Sequence, residues 1–205
     1  MTRFAPVERA ALADLLLETG PNAPTLCEGW TTRDLAAHLV VRASRPDAAV
    51  GVVFKPLAGH LDRLRIRVAK QDWERLVAQV RRRPTWAIFG EEAVNQAEYF
   101  VHHEDIRRAQ PGWQPRSLRP ELSASLWSRL RLQGKLTLRR IPATIRVSAP
   151  GFGAFSAGRG GPEVTMTGEP QELVMFLLGR QAHARVDLTG PGELVERLRT
   201  ARFGV

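Results

Sequence analysis

The stretch Thr31-Thr32-Arg33-Asp34-Leu35-Ala36-Ala37-His38-Leu39-Val40-Val41-Arg42-Ala43 reads as the start and body of a helix. Thr31, with an acid three residues on, resembles a capping box in which Asp34 stands where Glu is usual; hydroxyl and carboxylate each satisfy an amide that a first helical turn leaves open. A helix therefore starts near Thr32. It should stop before Pro46, because the residue ahead of a proline is pushed out of helical geometry. Leu35, Ala36 and Leu39 supply its apolar face, and His38 lies among them.

Outward from this helix, the pattern stays helical for about the first 110 residues. Upstream, Val7, Ala11, Leu12, Leu15 and Leu16 recur at helical spacing until Gly20-Pro21, and 22–29 is a turn-rich link. Downstream, 58–83 carries Leu61, Leu64, Val68, Trp73, Leu76, Val77 and Val80, as one broken helix or two, and 91–109 carries Ala97, Phe100, Val101 and Ile106 before Pro111-Gly112. Such a pattern predicts a four-helix bundle over residues 1–112. The texture then changes. Pro111 to Pro120 reads as a linker, followed by a helix near 121–132. Thr144 to Ser148 and Glu163 to Thr167 alternate as strands, and the glycine-rich stretch between them reads as a hairpin connection. Helices at 170–178 and 191–200, with a short strand at 184–188, complete a small α+β domain over 118–205.

Composition narrows the functional classes. The chain has 205 residues, 43% hydrophobic and 25% charged, enough for a real core. Its longest apolar runs, such as 36–41 and 173–178, are far short of the roughly 20 residues of a membrane span. The amphipathic N-terminus with Glu8, Asp14 and Glu18 is unlike a secretory signal, so the expectation is a cytoplasmic protein. One cysteine, Cys27, excludes an internal disulfide and any multi-cysteine metal site. A metal must rest on histidine and carboxylate. The net charge of +9 lies mostly in residues 111–205. It could suit nucleic acid, but the arginines of Arg81-Arg82-Arg83 and Arg139-Arg140 are interspersed with Glu and Leu elsewhere, and no nucleic-acid-binding signature is present. Gly158-Arg159-Gly160-Gly161 lacks the lysine and hydroxyl of a phosphate loop.

Of the five histidines, His38 and His102 have the more informative settings. Glu98 and His102 are four apart, hence on one helical face. With His38 from a neighbouring helix they form a two-histidine, one-carboxylate set that leaves positions open on a divalent ion. The same spacing also fits a hydrogen-bonded core histidine and an ordinary surface pair, and His103, Glu104 and Asp105 offer donors in another register. His60 and His183 have no spacing partner. Arg42, one turn beyond His38, and Arg45 are placed to hold a carboxylate; pairing with Asp47, Glu104 or Asp105 is the structural alternative. Trp30 either covers the open end of the bundle or staples the first turn of its helix. Cys27 reads as a small buried hydrophobe rather than a redox thiol.

The run Glu28-Gly29-Trp30-Thr31-Thr32-Arg33-Asp34-Leu35-Ala36-Ala37-His38, continued by Arg42-Ala43-Ser44-Arg45-Pro46-Asp47, together with Glu98-Tyr99-Phe100-Val101-His102-His103-Glu104-Asp105, resembles the actinobacterial mycothiol-dependent maleylpyruvate isomerase-like family within the DinB-like metal-binding bundles. Thr165 to Arg180 is similar to the small sterol-carrier-like α+β domain that follows these bundles. The resemblance implies a metal held by His38, Glu98 and His102, with zinc foremost and nickel, iron or manganese as alternatives. It implies mycothiol as cofactor, and a small electrophile as substrate. An ion so held would favour a thiolate for isomerisation or S-transfer, with Arg42 binding an anionic substrate during the reaction. A non-catalytic metal- or thiol-binding stress or sensor protein needs the same residues. Monomer and homodimer fit equally.

Overall fold

The computed structural model describes residues 4–44, 55–84 and 91–203. The chain divides into two compact units, Met1–Pro115 and Arg116–Val205.

The first unit is helical. Helix α1 (Ala5–Thr19) opens with Pro6 in its first turn, where a missing amide costs nothing, and ends at Gly20, whose amide donates to Leu16 O at 3.0 Å. Helix α2 (Thr32–Ser44) carries half of the expected capping box: Asp34 Oδ2 accepts from the Thr31 amide at 3.1 Å, while the Thr31 hydroxyl donates to the same oxygen at 2.9 Å instead of accepting from an amide. The stop expected before Pro46 lies outside the described residues. The 58–83 pattern resolves into α3 (Lys55–Ala69) and α4 (Trp73–Arg81), so this unit has five described helices where the periodicity predicts four. The break has a local cause. Asp72 caps α4 by accepting from the Arg75 amide at 3.0 Å, while Arg33 of α2 donates to the carbonyls of Ala69 and Gln71 at 3.0 and 2.9 Å, satisfying the end of α3.

Helix α5 (Glu91–Arg107) packs mainly on α1, and α4 packs on both α1 and α2. The core between them holds Leu12, Leu16, Leu35, Leu76 and Ile106, all fully buried. Full burial of such side chains contributes about 1.5–3 kcal/mol each. It fixes the rotation of α2 and α5 about their axes, and so decides which way His38 and His102 face.

In the second unit, α6 (Pro120–Leu138) packs on α7 (Pro170–Leu177) and on a four-stranded sheet of order β2-β1-β3-β4. Strands β1 (Thr144–Ala149) and β3 (Glu163–Thr167) stand where alternation places them, but they pair in parallel. The glycine-rich stretch is not merely a connection: it contains β2 (Gly153–Gly158), antiparallel to β1. Its periodicity is hidden because it is an edge strand of small residues in which only Phe155 is buried. Gly134 of α6 admits that ring, since a Cβ there would stand 2.9 Å from Phe155 Cζ. A short β4 (Asp187–Thr189) and α8 (Gly192–Thr200) close the unit.

No helix among the described residues is long and apolar enough to cross a membrane.

Candidate functional site

Helices α2 and α5 bring His38, Glu98 and His102 together. Glu98 Oε1 lies 3.3 Å from His38 Nε2 and 3.2 Å from His102 Nε2. The two imidazoles meet edge to face, with ring centroids 5.3 Å apart. Arg42 Nε approaches the same carboxylate oxygen at 3.2 Å as an ion pair, without hydrogen-bond direction. One oxygen therefore faces two imidazoles and a guanidinium.

Behind His102 stands a second carboxylate. Its Nδ1 lies 2.9 Å from Asp105 Oδ2, and Asp105 is fully buried. The same Oδ2 accepts from the Cys27 thiol at 3.2 Å, and Cys27 Sγ is 3.9 Å from His102 Nδ1. The loop carrying Cys27 is held by main-chain bonds. The Leu26 amide donates to Asp105 O and the Thr32 amide to Ala23 O, at 3.0 and 2.9 Å. The Trp30 amide donates to Cys27 O across a turn whose third residue, Gly29, has φ +73°, a conformation glycine adopts without strain. That turn sets Trp30 against His38 at 5.2 Å between centroids, and Arg65 of α3 lies over the indole at 4.9 Å. Arg65 also pairs with Asp34 and Asp62, so the α2 cap and the cover over His38 share one guanidinium.

Electrostatics divides the three groups. Burial pushes the His38 imidazole below its ordinary value, against the pull of the Glu98 hydrogen bond. For Glu98, burial pushes the carboxyl up, but hydrogen bonds from His102 and His38 and the charges of His102 and Arg42 outweigh it and hold the group well below the usual range. For His102, burial disfavours the charged ring, yet the contacts with Asp105, Cys27 and Glu98 hold it well above its ordinary value. A neutral imidazole, a carboxylate and a ring flanked by two carboxylates make a donor set that can hold a proton or a divalent cation.

Residues 6–55 match the family model of the mycothiol maleylpyruvate isomerase N-terminal domain. Over these residues the chain is similar to that domain. A crystal structure of a mutant of the mycothiol-dependent maleylpyruvate isomerase has the same fold: the likeness covers 92% of this chain and 96% of that one, at TM-score 0.56 and 16% identity. No curated protein matches the chain.

Arg42 reaches the site, where it pairs with Glu98. Arg45 and Asp47 lie outside the described residues. Trp30 packs against His38, so it covers the donor group. Cys27 is half-buried and hydrogen-bonded to Asp105 rather than a simple packing residue. His103 turns away to Glu8 Oε2 at 3.2 Å, in a buried contact between α5 and α1. Glu104 pairs with Arg107 and with the fully buried Arg108 at 3.1 and 2.7 Å. His60 is exposed, and His183 ends a 3-10 turn in the second unit. Asp105 is the site residue whose part spacing alone left undecided; its signal was its place three residues after His102, on nearly the same helical face.

Proposed function

We propose that the chain is a metal-dependent enzyme of the mycothiol-dependent isomerase or S-transferase type. On this reading His38, Glu98 and His102 hold a divalent ion, with zinc ahead of nickel, iron and manganese, and Arg42 binds the anionic part of a small electrophilic substrate. Its helical unit is read as DinB-like and its second unit as sterol-carrier-like. Its place is the cytoplasm, where a thiol cofactor stays reduced.

The observation that carries this reading is the convergence of three donor atoms from two helices. Their nitrogen–oxygen separations of 3.2 and 3.3 Å fit the edge of a tetrahedron of ligands about 2.0–2.1 Å from zinc, which is about 3.3–3.4 Å. His38 is held neutral, the form in which imidazole ligates. When bound, such an ion lowers the pKa of a coordinated thiol. The chain's own groups do the rest. Asp105 stands behind His102, 2.9 Å from Nδ1. Trp30 excludes water from one side of His38. Arg42, already beside Glu98, presents a cation to an incoming carboxylate.

Elemental analysis of untagged protein tests the site: about one equivalent of metal is expected in the native chain, and none in His38→Ala, Glu98→Ala or His102→Ala. Thiol-dependent turnover of small electrophiles tests the enzyme. Metal uptake with no thiol-dependent turnover would leave a metal-binding protein and overturn the catalytic reading.

A further inference from the structure

His102 belongs to two donor groups at once: Nε2 faces Glu98 and His38, while Nδ1 faces Asp105 and Cys27. The distances separate their roles. On the Nε2 side, 3.2 Å to Glu98 is at the long end of hydrogen-bond lengths and also matches a ligand–ligand edge. On the Nδ1 side, 2.9 Å to Asp105 is a hydrogen-bond length, and 3.9 Å to Cys27 Sγ exceeds the nitrogen–sulfur edge of about 3.5 Å around tetrahedral zinc. The fully buried Asp105 side chain is flanked by its own main chain, where the Leu26 amide fastens the Cys27 loop to Asp105 O. Ring, carboxylate and thiol are thus locked in one arrangement.

We infer that Asp105 is a positioning residue: it keeps the proton of neutral His102 on Nδ1, so that Nε2 offers its lone pair to the site, and Cys27 anchors Asp105 without donating to the metal. This deepens the metal reading above and rests on it for its consequence, but the tautomer is a property of the chain alone. A histidine ligand whose distal N–H is held by a carboxylate is oriented and made more basic, and loss of such a partner lowers metal affinity by about 10–100-fold.

Three measurements test the inference. Long-range proton–nitrogen NMR of the metal-free native chain, at a pH where the ring is neutral, is expected to show His102 protonated on Nδ1; protonation on Nε2 would overturn the inference, whether or not the chain binds metal. Chelator competition with zinc should show Asp105→Ala binding about 10–100-fold more weakly, with Asp105→Asn recovering part of the loss because its side-chain oxygen can still accept from Nδ1. Native affinity in a folded Asp105→Ala variant would count against it. Cobalt-loaded native protein should lack a thiolate-to-cobalt charge-transfer band; if the band is present and disappears in Cys27→Ser, Cys27 is a ligand and the assignment is wrong. If the native chain takes up neither metal, the reading under Proposed function fails, and the NMR result still decides this one.

Discussion

Arg42 Nε stands 3.2 Å from the Glu98 oxygen that both imidazoles face. The guanidinium and an ion at the imidazoles would therefore draw on one carboxylate, and Arg42 is the cation of this cluster that can turn to a second anion. Arg42→Gln should retain about one equivalent of metal. It should also raise KM for a carboxylate-bearing substrate by about 10–100-fold, the worth of a charged hydrogen bond, while a neutral electrophile is little affected. Steady-state kinetics with the two substrate types checks the split.

Metal uptake should depend on pH with a definite sign. His102 is held well above its ordinary value of 6.5 in the metal-free chain, so a proton competes with the ion up to and beyond that pH. Zinc affinity is expected to fall as pH drops through the raised value, and to begin falling at a higher pH than an unperturbed histidine would give. Isothermal titration across pH 5.5–9 reads it directly; an affinity flat from pH 8 to 6 would contradict the expectation.

Acid stability should register the α2 cap. Burial pushes the Asp34 carboxyl up, but bonds from the Thr31 hydroxyl and amide and the charge of Arg65 outweigh it and leave the group below its ordinary 3.8. A depressed folded pKa gives stability that is complete above 3.8 and is lost as pH falls through the folded value. Asp34→Ala should cost about 0.5–2 kcal/mol at neutral pH, and its deficit relative to native should shrink below pH 3.8. Urea unfolding at pH 7 and pH 3 gives the comparison.

The buried contact between His103 and Glu8 joins α5 to α1. Removing one partner leaves the other in the core, so Glu8→Ala should cost about 1–3 kcal/mol in stability. Metal content should not change, because His103 points away from the donor group. Denaturant midpoints and elemental analysis of the same variant test both halves.

The parts of this fold that sequence made legible are local. The Thr31–Asp34 cap spans three residues and the Glu98–His102 pair four, so spacing alone specifies their geometry. The position of Arg42 one turn after His38 was readable for the same reason. What escaped depends on distance along the chain. Cys27 meets Asp105 across 78 residues, and Arg65 of α3 comes to lie over Trp30. No periodicity encodes such meetings. The helix break at Gln71-Asp72 has no proline or glycine to announce it, only a capping acid, and β2 has too few large side chains to alternate visibly.

The hydrogen bond from the Leu26 amide to the carbonyl of Asp105 ties the segment ahead of α2 to the last turns of α5. It acts as a mechanical linkage: a displacement of α5 is felt by the turn that positions Trp30, and a change of shape in that turn is felt by the carboxylate behind His102. Substitutions within residues 21–30 can therefore retune the surroundings of the donor group while every donor stays in place.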